Sequence, residues 1–233
     1  MTPFADHTSL HTEQTDSHSL EIPRRETERY LGYRRIAPTP EVTERIGICE
    51  QQLLARSNPR AAWQAFALDS SEEGHLKAAG LDIESAKLSR NCRGCTVIVM
   101  MAATIGPGVD FLIRRAEAAS MTDAAIYQAA GAAMVEEWCD VLNRKIRETM
   151  HDQYGLAARP RFSPGYGDLS LELQKDFFRI LNLPHTCGIS LGDTLLMSPS
   201  KSVTAFIGCA KEEDPCVPAG CEVCGKDNCD FRR

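Results

Sequence analysis

The stretch Arg161-Phe162-Ser163-Pro164-Gly165-Tyr166-Gly167-Asp168 combines an arginine, a proline, two glycines, a tyrosine and an aspartate. Pro164 fixes its own φ and restricts the residue before it to extended conformations, whereas Gly165 and Gly167 permit backbone angles that other residues avoid. These features predict a stiff loop. The loop is either a tight connector with a solvated arginine or a ligand-binding loop, in which Arg161 offers a planar fork to a carboxylate or phosphate.

The overall composition is typical of one globular domain with appendages. The chain has 233 residues, of which 43% are hydrophobic and 25% charged, enough for a substantial core. A formal net charge of −6 and the lack of a basic stripe argue against a nucleic-acid surface. The longest apolar stretches, 96–105 and 124–135, are shorter than the roughly 20 residues of a membrane span, so we expect no membrane segment.

The chain is expected to have three parts. Residues 1–22 are predicted to be a disordered tail, because few apolar side chains there could offset the entropy lost on ordering. They also lack the basic start and apolar run of a signal peptide. A globular domain over 23–209 and a cysteine-rich segment over 210–233 follow. Ten cysteines without a secretion signal indicate a reducing compartment, so a cytoplasmic protein is expected.

Helical and strand patterns occur in clusters rather than in strict alternation. Thr39, followed by a proline, is typical of a helix start, and the apolar, β-branched residues 96–102 predict a strand buried on both faces. Thr122 or Asp123 is expected to cap a helix that is apolar on nearly every side as far as Val135 and crosses the core. Further along we expect a helix over 170–182 and strands over 187–191, 194–197 and 202–209. The pattern favours an α+β fold with an antiparallel sheet and helices packed around it.

Two polar features lie outside the loop. Cys92 and Cys95 form a Cys-x-x-Cys pair, which is a redox dithiol, half of a zinc site or plain packing ahead of the buried strand. Glu136 and Asp140 share one helix face where the buried helix becomes charged. These carboxylates either reach solvent or line a cleft.

Several strings of the sequence resemble the activation domain of vitamin B12-dependent methionine synthase, especially the stand-alone proteins built on it. The motif Arg-x-x-Pro-Gly-Tyr at 161–166 is joined by residues 195–208 and by two shorter strings at 29–33 and 102–107. The resemblance therefore extends over about residues 25–209. It implies the α+β fold of that domain.

The resemblance also implies a function. The protein would be an S-adenosylmethionine-binding accessory protein for reductive reactivation, the methylation of cob(II)alamin in a corrinoid-dependent methyltransferase such as methionine synthase. Arg161 would pair with the methionyl carboxylate, and Ser163 and neighbours such as Gly165 would supply main-chain contacts to the adenine. Tyr166 would close the site near the corrin. Glu136 matches a ligand-contacting glutamate of the family and would hold an ammonium or a ribose hydroxyl.

The corrinoid is expected on a partner protein, because the usual lower-ligand signature Asp-x-His-x-x-Gly is absent from this sequence. The partner would be a corrinoid-binding methyltransferase or corrinoid protein, and an electron donor is a further candidate partner. The protein itself would be an accessory reactivation subunit of a cobalamin-dependent methyltransferase, with no general base of its own.

The C-terminal segment has the cysteine spacing of a metal site, and the resembled domain has no such segment. The pattern Cys-x4-Cys-x2-Cys-x4-Cys comprises Cys216, Cys221, Cys224 and Cys229, and Cys209 is a further candidate ligand. Four thiolates suit either zinc or an iron-sulfur cluster; the short, uneven spacing favours the cluster, and disulfides are the other alternative. A cluster would pass the required electron to cobalt.

Two other functions fit the sequence. The first is an iron-sulfur or zinc-bearing interaction and electron-transfer module that docks on a corrinoid protein without binding S-adenosylmethionine. The second is a metal-storage or redox-sensing protein that uses the cysteines alone, which leaves the loop at 161–168 unexplained.

Overall fold

The computed structural model describes residues 4–34 and 36–211. The strands are β1 (His11–Gln14), β2 (Arg60–Ala67), β3 (His75–Ala78), β4 (Leu81–Glu84), β5 (Cys95–Thr104), β6 (Leu156–Ala158), β7 (Ser190–Leu191), β8 (Met197–Ser198) and β9 (Ser202–Lys211). The helices are α1 (Arg24–Tyr30), α2 (Pro40–Arg56), α3 (Ala86–Asn91), α4 (Gly108–Glu117), α5 (Met121–Tyr154), α6 (Gln174–Ile180) and α7 (Leu183–Thr186).

A five-stranded sheet in the order β1-β2-β5-β9-β6 organises the domain, and every neighbouring pair in it is antiparallel. The central strand β5 covers the predicted strand at 96–102 and is buried along almost its whole length. Its side chains alternate between two cores, since Val99 and Met101 belong to one and Ile98 and Met100 to the other. The expected antiparallel α+β fold is confirmed.

One face of the sheet is covered mainly by the 34-residue helix α5, with α2 and α4 beside it. We expected Thr122 or Asp123 to cap α5, but its N-cap is Ser120, whose hydroxyl accepts from the main-chain amide of Asp123. The carboxylate of Asp123 instead pairs with Arg45 on α2, so it is not available as a cap. Thr39 caps α2 as predicted.

The opposite face is covered by short elements: the hairpin β3–β4 and helices α3, α6 and α7. The helix expected over 170–182 consists of a 3-10 turn at Leu171–Leu173 followed by α6. It ends where Asn182 adopts a left-handed conformation, with φ of 49°. The strands expected over 187–191 and 194–197 are reduced to the two-residue strands β7 and β8.

Residues 4–22 contain regular structure where a disordered tail over 1–22 was expected. Strand β1 adds to the edge of the sheet through β2, and His11 stacks on Trp63 with ring centroids 3.9 Å apart. Leu20 and Ile22 are buried in the core on the α5 face. The sheet edge supplies hydrogen bonds and an apolar surface that the composition of this segment alone does not reveal. No helix in the described parts of the chain has both the length and the apolar character needed to cross a membrane.

Candidate ligand-binding site

The loop at 161–168 begins as a continuation of the sheet edge. Phe162 and Phe206 on β9 exchange two main-chain hydrogen bonds of 2.9 Å. The loop then closes on itself, because Gly165 N donates to the carbonyl of Leu169 at 2.9 Å. Gly167 has φ of +64°, a backbone conformation that favours glycine, and the flexible Lys87 side chain packs where a Cβ would project. The predicted stiff loop is therefore present.

Asp168 fastens the far end of the loop to α3. Its carboxylate accepts a hydrogen bond from Ser85 Oγ at 2.5 Å and from the main-chain amide of Lys87 at 3.2 Å. These hydrogen bonds hold the pKa of Asp168 below its usual value. Ser85 is in turn the N-cap of α3. Local sequence patterns do not indicate this link, because Ser85 and Asp168 lie 83 residues apart.

Arg161 lies at the other end of the loop and contacts α5. Its Nη2 donates to Glu136 Oε2 at 3.0 Å, and its Nη1 lies 2.8 Å from Asp140 Oδ1 as an ion pair without hydrogen-bond geometry. The arginine side chain is only 15% exposed, whereas the two carboxylates are 34% and 42% exposed. The structure thus brings together Arg161 and Glu136, two residues proposed for one ligand, and adds Asp140.

A cavity of about 300 Å³ opens beside these carboxylates, between α1 and α5. Its lining comprises Pro23, Arg25, Glu26, Arg29, Tyr30, Ala133, Glu136, Glu137 and Asp140. Four carboxylates and two guanidinium groups are present, so the lining favours a ligand that carries positive charge. Arg161 is connected to this lining by its ion pairs with Glu136 and Asp140.

Comparison with known proteins gives a strong structural match. No protein-family model and no curated protein matches the sequence. The chain is similar to a crystal structure of the MetH reactivation domain bound to AdoHcy, with a TM-score of 0.63 at 15% identity. The match covers 88% of this chain and 80% of that chain. The chain has the fold of the MetH reactivation domain. At this level of identity the likeness concerns the fold, and the roles of individual residues must be argued from the site itself.

Within this reactivation-domain fold, the remaining loop residues lie apart from the cavity. Tyr166 is 72% exposed at the tip of the loop, and Ser163 is half-buried. Gly165 is exposed and has a left-handed φ of +85°. The tyrosine ring is therefore presented to solvent, where a partner protein can contact it.

The proposed metal ligands fall into two groups. Cys216, Cys221, Cys224 and Cys229 lie outside the described residues. Cys209 lies on β9 and is fully buried in the core beneath α5, where burial raises the pKa of its thiol. Within 4–34 and 36–211, no group of three or more His, Cys, Asp or Glu side chains is arranged to hold a metal ion.

Proposed function

We propose that this protein binds S-adenosylmethionine and serves the reductive reactivation of a corrinoid-dependent methyltransferase. The observation that carries the proposal is the Arg161–Glu136–Asp140 cluster beside a negatively lined cavity. Support comes from the fold, which is shared with a domain bound to AdoHcy. AdoHcy is the compound that S-adenosylmethionine becomes when it gives up its methyl group.

The charges of the cluster suit the amino-acid end of this ligand. S-adenosylmethionine carries a carboxylate, an ammonium and a sulfonium, so it needs one cationic and at least one anionic partner. Arg161 offers the first, and Glu136 and Asp140 offer the second. Without ligand the three side chains satisfy one another. Ligand binding then exchanges one set of ion pairs for another, which avoids leaving a half-buried charge unpaired.

The loop supplies the remaining contacts in this proposal. Ser163 and Gly165 would offer main-chain groups to the adenine, and exposed Tyr166 would meet the corrin of the partner. The bound donor supplies a methyl group, which together with one electron converts cob(II)alamin to methylcobalamin. The residues of this chain bind and orient the donor, and orientation is a large part of the rate of such a transfer.

We further propose that the cysteine-rich segment holds an iron-sulfur cluster, with zinc as the alternative, and that a cluster would supply the electron. Support comes from the spacing of Cys216, Cys221, Cys224 and Cys229. The same cysteine content supports a cytoplasmic location. Iron and sulfide analysis of anaerobically purified protein, with spectra before and after dithionite, tests the cluster. Stoichiometric zinc without iron would contradict it.

Calorimetric titration with S-adenosylmethionine tests the ligand. Wild type is expected to bind, and Arg161→Ala is expected to bind about tenfold or more weakly, since a charge-assisted hydrogen bond contributes about 1.5–3 kcal/mol. Arg179→Ala is the matched control, because Arg179 pairs with Asp176 on the exposed side of α6. No binding by wild type would overturn the proposal and favour a metal-bearing module that docks on a corrinoid protein without this ligand.

A further inference from the structure

The Cys-x-x-Cys pair forms a tight turn between α3 and β5. The main-chain amide of Cys95 donates to the carbonyl of Cys92 at 2.9 Å, and Gly94 within the turn has φ of +75°. The Cα atoms at the ends of such a turn lie within about 7 Å, a separation that a disulfide can span. The two cysteines are reduced rather than joined by a disulfide bond, and the Cys92 thiol is hydrogen-bonded to Cys95. The geometry therefore needs little change to form an S–S bond.

Gly208 on β9 provides the space in which the two sulfur atoms meet. A Cβ at this position would lie 2.8 Å from Cys95 Sγ and 2.9 Å from Cys92 Sγ. Any larger residue would therefore push against both thiols. The lack of a side chain at Gly208 therefore leaves room for both sulfur atoms beneath this turn.

Arg159 places a buried positive charge against the same turn. The residue is 6% exposed, its Nη2 donates to the carbonyl of Arg93 at 3.4 Å, and its Nε has no hydrogen-bond partner among the described residues. The hydrogen bond with Cys95 and burial raise the pKa of the Cys92 thiol, whereas the charge of Arg159 opposes that rise. Burying a cation without an anion is costly. A thiolate in the turn would place a negative charge beside this guanidinium.

A polar cavity of about 380 Å³ lies over the exposed side of the turn. Arg90, Arg93 and Gly94 line it, together with Glu73 and three serines. Two guanidinium groups in a polar cavity suit a small thiol compound that bears carboxylates. Such a compound would lie within one turn of chain from the buried sulfur atoms.

We propose that Cys92 and Cys95 form a reversible disulfide by exchange with a low-molecular-weight disulfide. One cysteine, as its thiolate, attacks a sulfur atom of that disulfide, breaks its S–S bond and releases one thiolate. The second cysteine attacks the resulting mixed disulfide and releases the other. The two protons lost by the protein thiols pass to the released thiolates, so that the protein is oxidised and the small disulfide is reduced to two thiols.

We expect this disulfide to affect the loop at 161–168, because one end of the loop lies next to a residue that contacts the turn and the other end is hydrogen-bonded to α3. Arg159, two residues before Arg161, contacts the turn and also binds β9 through its main-chain amide, which donates to Gly208 at 2.8 Å. Asp168 holds the other end of α3. We expect oxidation to weaken S-adenosylmethionine binding by about fivefold or more, within the usual range of coupling between sites. This consequence rests on the proposed function, whereas the disulfide does not.

Peptide mapping of the full chain tests the disulfide directly. The protein is incubated with glutathione disulfide, denatured in the presence of an alkylating agent so that buried thiols also react, and digested with trypsin without reduction. Trypsin cleaves after Arg93, between the two cysteines, so residues 91–93 and 94–114 remain joined only through the disulfide. We expect the joined peptides, and their loss after dithiothreitol. Alkylation of both cysteines under oxidising conditions would overturn the proposal.

Titration of the oxidised and re-reduced protein with S-adenosylmethionine tests the coupling. Cys92→Ser retains the C-terminal cysteines and is expected to bind equally well under both conditions, whereas Cys187→Ser, a buried cysteine elsewhere, should behave as wild type. Redox-sensitive binding in Cys92→Ser, or equal affinity in both states of wild type, would overturn the coupling. No binding by reduced wild type would instead contradict the proposed function, and the peptide map would still decide the disulfide.

Discussion

The two faces of the central sheet are built differently. One is covered by the continuous helix α5, with buried residues along its whole length. The other is covered by short elements joined through turns and side-chain caps. Glu136 and Asp140 lie on the continuous helix, and the loop that carries Arg161 is fastened to the short elements through Asp168. The candidate site therefore combines carboxylates on the continuous helix with a loop that the short elements hold in place.

The largest expected effect comes from truncating a core side chain on the face covered by short elements, which we call the short-element face. Phe177 is fully buried and packs against Phe206 with ring centroids 4.7 Å apart. Phe177→Ala should lower the free energy of unfolding by about 3–5 kcal/mol. Phe178→Ala, at a half-buried neighbouring position, should cost clearly less.

Urea unfolding followed by far-ultraviolet circular dichroism measures both variants. Because both faces pack on the same β5, one cooperative transition is expected, shifted to lower urea in Phe177→Ala. A separate early transition, with the remainder unchanged, would show that the two faces unfold independently.

Two serine N-caps, one on each face of the sheet, allow the effect of a mutation on stability to be separated from its effect on ligand binding. Both effects are expected to be smaller than that of Phe177→Ala. Ser85 caps α3 and also donates to Asp168, whereas Ser120 caps α5. Each serine-to-alanine change should cost about 1 kcal/mol of stability. Only Ser85→Ala should also weaken S-adenosylmethionine binding, because only it loosens the loop. Equal affinities in calorimetric titrations of the two variants would contradict the role given to the short-element face.

Features of the fold that depend on neighbouring residues could be predicted from the sequence, and features that depend on distant partners could not. The strand β5, the Thr39 cap and the stiffness of the loop depend on neighbouring residues, so local patterns indicated them. Strand β1 and the hydrogen bond between Asp168 and the N-cap of α3 depend on partners distant in sequence. The conformational propensities of single residues cannot identify such partners. The composition of the segment that contains β1 therefore predicted a disordered tail.

The candidate site was predictable to a similar extent. Arg161 and Glu136 were identified through the resemblance to the activation domain, and the structure brings them into contact. The cavity lining from α1 was not predicted, since Arg25, Glu26 and Tyr30 form no motif with the loop. The i, i+4 spacing of Glu136 and Asp140 was the one sequence signal that could have indicated the shared ion pair.

The smallest expected effect is a pH dependence that arises at the loop. The pKa of Asp168 is lowered in the folded state by hydrogen bonds from Ser85 and Lys87. Its ionised form therefore stabilises the protein above the unfolded-state pKa of about 3.9, and this contribution is lost as pH falls through the folded-state pKa. Asp168→Asn should show a shallower loss of stability in acid than wild type, measured by urea unfolding across this range.

Asp123→Asn is the control on the α5 face, because Arg45 lowers the pKa of Asp123. It should also show a shallower loss of stability in acid. Only Asp168→Asn should in addition weaken S-adenosylmethionine binding, because Asp168 connects the loop to α3. If Asp168→Asn lost stability in acid as steeply as wild type, the carboxylate of Asp168 would not stabilise its contact with α3.

The central claim is that Arg161 binds the carboxylate of S-adenosylmethionine, and a ligand-by-residue cycle tests it most directly. Calorimetry would compare S-adenosylmethionine with its decarboxylated analogue on wild type and on Arg161→Ala. We predict that loss of the ligand carboxylate weakens binding to wild type by about tenfold or more and has little effect on Arg161→Ala. An equal loss of affinity in both proteins would show that Arg161 does not contact the carboxylate.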